Sequence, residues 1–203
     1  MRIEPCSLLS LLQRKPAKGI NVKAAQIELC LFDAVTEVVN VFQQMHSCGS
    51  VVAVKELARE TNHPLTCLID SNGTVPFEHF PELMAVCDGV MLDVKAWDAD
   101  LYHRLTQAKD NAIVKQNLVW LLQHDLLTEI RIVCLPDRVD VETILRHIAE
   151  TFDFIGKNAP VRLLRFRPHG VIGELANHPM PTEEQMAQHA EFARSLHLAF
   201  SIK

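Results

Sequence analysis

From Leu65 onward, short apolar runs alternate with segments of helical period, and that rhythm restricts the chain to few folds. Leu65–Asp70, Gly89–Val94, Glu129–Leu135 and Val161–Phe166 read as strands. Asp70-Ser-Asn-Gly73 is turn chemistry that closes the first, and Pro136 closes the third. Between them, Phe77–Val86, Asp98–Leu105, Asp110–His124 and Val141–Phe154 read as helices; in the last, Ile144, Leu145, Ile148 and Phe152 share one face. Pro168–Pro179 reads as irregular. Thr182-Glu-Glu-Gln185 is a capping box that opens a helix to about His197, and Leu198–Ile202 reads as a last strand. Strands alternating with helices mean βαβ units, a parallel sheet and right-handed crossovers. The apolar runs are continuous rather than alternating, which predicts cover on both faces of the sheet.

The first part of the chain reads differently. Ala24–His46 is apolar nearly all round and reads as one long helix, with a second at Val51–Thr61; no convincing strand precedes Leu65. The expected organisation is a helical segment over residues 1–50 and an α/β domain over residues 51–203.

Charge and composition exclude several functions. Lys plus Arg is 20 and Asp plus Glu is 25, a net −5, which makes a poor general nucleic-acid binder. No run of eighteen apolar residues supplies a membrane span, and Ser7–Leu12 is too short for a signal peptide. The six cysteines are far apart, with no CxxC or CxxxC, and most sit in apolar runs; they read as buried thiols of a cytoplasmic protein. The fingerprints GxSxG, GxxxxGK[ST], GxGxxG and HExxH are absent, and the ten histidines are scattered.

In a parallel α/β sheet, ligands bind at the carboxyl ends of the strands. The ends here are Asp70-Ser71-Asn72, Asp93-Val94-Lys95, Pro136-Asp137-Arg138 and Arg165-Phe-Arg167-Pro-His169. Asp93 and Lys95 are two apart on a strand and share a face, and Asp70 neighbours them if the strands pair. Two adjacent carboxylates favour a cation or raise one pKa, while Lys95 with Arg165 or Arg167 suits a carboxylate or phosphate. A salt-bridge network closing the sheet end accounts for the same residues structurally.

At these strand ends, Thr66-Cys-Leu-Ile-Asp-Ser-Asn-Gly73, Val86-Cys-Asp-Gly-Val-Met-Leu-Asp-Val-Lys-Ala-Trp97 and Arg131-Ile-Val-Cys-Leu-Pro136 resemble the glycyl radical enzyme activases of the radical S-adenosylmethionine superfamily. The pyruvate formate-lyase activating enzyme belongs to that family, and the YjjW-like branch looks most similar. Arg165-Phe-Arg-Pro-His-Gly-Val-Ile-Gly-Glu174 looks like the counterpart near the chain end. The resemblance runs from about Val51 to the C-terminus. It implies a partial (β/α) barrel, S-adenosylmethionine and a 4Fe–4S cluster as cofactors, and a glycyl radical enzyme as partner. It implies that Asp70 and Asp93 help bind a monovalent cation beside the methionine carboxylate, with Ser71 and the Met91 carbonyl nearby. Lys95 would contact the methionyl or ribose part.

The sequence departs from that family in several places. Arg167 stands where well-known activases have a histidine, and His169, two residues further on, is the alternative. The CxxxCxxC spacing that holds three irons of the cluster is missing, so no iron–sulfur ligands are found. The Gly-Gly-Glu motif and the cysteine-rich insert are missing too. The abrupt loss of family pattern before Val51 points to a frameshift or misplaced start, leaving a barrel with open sheet edges. The expected function is therefore a truncated or degenerate activase without radical activity of its own. The alternatives are a non-catalytic module that binds a glycyl radical enzyme, or a plain α/β enzyme acting on an anionic small molecule.

Overall fold

Each parallel strand must be followed by a crossover, and right-handed crossovers that always step the same way keep every helix on one side of the sheet. The computed structural model shows this arrangement and describes residues 37–41, 48–60, 62, 65–169, 171 and 173–203. In chain order the elements are β1 (Glu37–Val41), α1 (Cys48–Glu60), β2 (Leu65–Ser71), a 3-10 turn (Phe77–His79), α2 (Pro81–Val86) and β3 (Gly89–Asp93). Then come α3 (Ala99–Thr106), α4 (Ala112–Gln123), β4 (Leu127–Cys134), α5 (Val141–Ile155), β5 (Val161–Arg165), a 3-10 segment (Gly173–Asn177), α6 (Glu183–Ser195) and β6 (Phe200–Ile202). The six strands lie in sequence order, β1-β2-β3-β4-β5-β6, and every neighbouring pair is parallel.

Local chemistry fixes the helix ends. The carboxylate of Asp98 accepts from the Leu101 amide at 2.8 Å to start α3, and Asp140 does the same for Thr143 at 3.0 Å in α5. Thr182 and Gln185 form the expected capping box at α6. Gly156 ends α5 in the left-handed region, at φ 72°. The Asp-Ser-Asn-Gly turn after β2 needs its glycine: Gly73 has φ 68°, and a Cβ there would lie 2.7 Å from Leu92 Cδ1. Asn117, buried in α4, then ties down the following segment, donating to the carbonyls of Gly73 and Val75 and accepting from the Phe77 amide.

The core lies between the sheet and the helices. Val90, Leu92, Ile130, Ile132, Val161 and Leu163 are fully buried and pack against α4 and α5 residues such as Leu121, Ile144, Leu145 and Ile148. Along β2, burial alternates strictly between buried and half-buried residues. The expectation of a sheet covered on both faces does not hold among the described residues, whose core takes in one face. Leu68, Met91, Val133 and Leu164, on the other face, are half-buried and stand outside that core. They made the runs look continuously apolar although only every second residue enters the core.

A second correction concerns the N-terminal part. Residues 37–41 form a strand, not the middle of a long helix, paired in parallel register with β2 from Glu37↔Leu65 to Val41↔Ile69. Three of the five residues, Val38, Val39 and Val41, are β-branched, and pairing against the β2 edge outweighs the all-round apolar pattern. The rest of the expected Ala24–His46 helix lies outside the described residues. The expected Val51–Thr61 helix is present as α1.

Among the described residues, one buried side-chain polar atom has no hydrogen-bond partner: Nδ1 of His189, on α6. Burial lowers the His189 pKa below its ordinary 6.5, and the nearby Glu142 opposes this only in part. The folded protein therefore prefers neutral His189, and this contribution is intact above pH 6.5 and lost as pH falls through the lowered folded value. Urea unfolding at pH 7 and pH 5 should show a smaller loss of stability for His189→Gln than for the parent chain. Equal losses would show that His189 carries no such penalty.

Candidate functional site

The face of the sheet away from the core carries the charges. Asp70 on β2, Asp93 on β3, Glu129 and Arg131 on β4 and Arg162 on β5 alternate with core residues, so they fall on this open face; Lys95 follows just beyond β3. Register sets them side by side: Asp93 is level with Arg131, and Arg131 with Arg162.

Arg131 is the centre of the group. Its Nη1 donates to Asp70 Oδ2 at 2.8 Å, its Nη2 to Asp70 Oδ1, and its Nε to Asp93 Oδ1 at 3.0 Å. Its side chain is only 15 % exposed. Burial by itself works against the Arg131 charge, but the hydrogen bond to Asp70 and the charges of Asp93, Asp70 and Glu129 outweigh it and raise the pKa above its ordinary value. Lys95 Nζ lies 3.3 Å from Asp93 Oδ2, and Arg162 Nη2 lies 2.7 Å from Glu129 Oε2. The belt is thus charge-balanced, with three carboxylates and three cations.

Hydrogen-bonding capacity is less balanced. Arg131 engages both Asp70 oxygens and Asp93 Oδ1, and Lys95 takes Asp93 Oδ2. Lys95 and Arg162, side chains 37 % and 35 % exposed, each meet one carboxylate among the described residues. The unused donors are on the cations, which suits the anionic part of a ligand.

The structure brings Asp70, Asp93 and Lys95 together as the sequence suggests. The two carboxylates expected to hold a monovalent cation are bridged by the Arg131 guanidinium. Ser71 follows the buried parity of β2, away from the belt, and its Oγ accepts from the Gly73 amide at 3.0 Å, shaping the turn. Arg165 is turned to α6, where it meets Glu183 at 2.7 Å and the Pro181 carbonyl at 3.3 Å; its hydrogen bond and charge lower the Glu183 pKa. Arg167 and His169 are exposed in the segment after β5, outside the belt's bonds. Sequence reasoning missed Glu129, Arg131 and Arg162 because it weighed only strand ends. Their signal was present in Glu129-Ile-Arg131, two charges of one parity inside an apolar strand.

Three of the six cysteines have described side chains. Cys67, Cys87 and Cys134 are buried and free. Burial pushes Cys67 and Cys134 up to about 12 and raises Cys87, so in the folded protein they are thiols. Among the described residues no group of three or more His, Cys, Asp or Glu side chains could hold a metal ion. Cys6, Cys30 and the side chain of Cys48 lie outside them. Among the described residues, no helix is long and apolar enough to cross a membrane.

If the carboxylates are satisfied by Arg131, exchanging choline for potassium or sodium at fixed ionic strength should leave the melting temperature unchanged. A saturable stabilisation by one alkali cation, lost in Asp93→Asn, would show that the cation displaces the guanidinium.

No protein-family model matches the chain, and no curated protein sequence does. Solved structures do match. A domain of a pyruvate-formate lyase-activating enzyme from Bacteroides vulgatus aligns with a TM-score of 0.64 at 15 % identity, covering 81 % of this chain and 98 % of that one. A radical SAM methyltransferase from Sphaerobacter thermophilus aligns with a TM-score of 0.52 at 13 % identity, covering 78 % of this chain and 56 % of that one. The chain thus spans about half the length of the methyltransferase. At these identities the likeness establishes architecture: the α/β parallel sheet of this chain shares its fold with these two proteins.

Proposed function

We propose that this chain is a degenerate relative of the glycyl radical enzyme activating proteins, one that retains the ligand-binding end of the barrel without cluster-dependent chemistry. The observation that carries this reading is the Asp70–Arg131–Asp93–Lys95 group on the open face of a sheet whose fold matches an activating-enzyme domain. The methionyl group of S-adenosylmethionine is a zwitterion, and this group offers both signs within a few ångströms. Lys95 donates to the ligand carboxylate, Asp93 orients Lys95, and Arg131 holds both aspartates in place. Arg167 and His169, exposed in the segment after β5, are the further donors this reading assigns to the ligand. Ser71 acts indirectly, by setting the turn that follows Asp70.

Radical generation is not assigned to the chain, since the described residues offer no ligand set for the cluster. Its role is then to bind the cofactor or a glycyl radical enzyme partner as a non-catalytic module. The unused donors on Lys95 and Arg162 favour a second reading, an α/β enzyme acting on a small anionic substrate.

Isothermal titration with S-adenosylmethionine separates the two. The first reading predicts saturable binding that weakens about tenfold in Lys95→Ala, the worth of one charge-assisted hydrogen bond. Absence of binding to S-adenosylmethionine, alongside binding of a simple dicarboxylate, would favour the small-anion enzyme.

A further inference from the structure

The belt is neutral as a whole but not uniform across the sheet. On β2, β3 and the residues just past β3, Asp70, Asp93 and Lys95 leave one excess negative charge. On β4 and β5, Glu129, Arg131 and Arg162 leave one excess positive charge. The register puts Arg131 and Arg162 at directly neighbouring positions, and two like charges side by side on paired strands are unfavourable unless each is compensated. Arg131 is compensated by Asp70 and Asp93. Among the described residues Arg162 is compensated by Glu129 alone, a carboxylate buried at 7 % exposure that takes part of its donor fork.

The next strand adds a donor. Ser201 on β6 is level with Arg162 and exposed. Its neighbour Phe200 is turned to the helix side, where the Arg194 guanidinium lies 5.4 Å from its ring centroid. Alternation along β6 therefore turns Ser201 to the open face, beside Arg162. A guanidinium whose one carboxylate partner among the described residues leaves donors unused, with a hydroxyl in register beside it, makes a two-point receptor for an oxyanion.

We propose that Arg162 and Ser201 form an anion-binding site, separate from the Asp70–Lys95 group, that takes a carboxylate or phosphate group of a small molecule. Arg162 supplies the charge and a planar pair of donors, Ser201 fixes the anion laterally, and Glu129 positions the guanidinium. The site needs neither S-adenosylmethionine nor a cluster, so it stands apart from the first functional reading, and it deepens the second, which rests on the same Arg162 donors.

The test is a titration with inorganic phosphate and, separately, acetate, followed by the side-chain NMR signals of the arginines at constant ionic strength. The expected result is saturable movement of the Arg162 signal with one of the two anions, weakened about fivefold in Ser201→Ala, the scale of one neutral hydrogen bond. A response to phosphate alone identifies a phosphate ligand, and a response to acetate alone a carboxylate. Because Arg162→Gln leaves Glu129 buried without its partner, the double change Glu129→Gln with Arg162→Gln serves as the folded control, and it should abolish saturable binding read by calorimetry. The proposal is overturned if neither anion moves the Arg162 signal. It is overturned equally if Ser201→Ala binds as the parent does, or if the double variant still binds.

Discussion

The guanidinium of Arg131 is the interaction on which the open face depends. It reaches from β4 across β3 to β2, donates to both oxygens of Asp70 and one of Asp93, and leaves neither carboxylate to face the other unscreened. A half-buried pair of aspartates on neighbouring strands would otherwise repel and draw in a proton or a cation. Instead the protein supplies the positive charge from its own chain. Lys95 is then free to offer its remaining donors outward, and Arg162, displaced from those aspartates by Arg131, has to find Glu129.

That arrangement follows from the way the sheet is wound. Sequential parallel strands with crossovers of one hand put every helix on one side, so only alternate residues of each strand enter the core. The others face the inside of a curved sheet, where half-burial allows charges to persist if they are paired. Fold and candidate site are thus two results of one topological choice: the same parity that places Ile130 and Ile132 in the core places Glu129 and Arg131 opposite them.

Much of this was legible in the sequence, and the exceptions have physical causes. The four strands from Leu65 to Phe166, the helices between them and the capping box at Thr182 were readable because periodicity and turn chemistry agree there. The strand at 37–41 was not, because a run such as Glu37-Val-Val-Asn-Val41 inside a longer apolar stretch fits either element until the β2 edge is known. Asp70, Asp93 and Lys95 were legible as strand-end charges. Arg131 and Glu129 were hidden because a strand interior is expected to be apolar, and only one-sided cover makes a charged interior position affordable. Arg165 misled for the opposite reason: it ends a strand, yet Glu183 and Pro181 draw it to α6.

The central claim is that Arg131 binds the two aspartates tightly enough to organise the face before any ligand arrives. A double-mutant cycle of Asp70→Asn with Arg131→Gln, read by urea unfolding, tests it most directly. The account predicts a coupling energy of about 1–3 kcal/mol, as found for residues in one partly buried network. A coupling below about 0.5 kcal/mol would contradict it, since the two side chains would then act as independent surface charges.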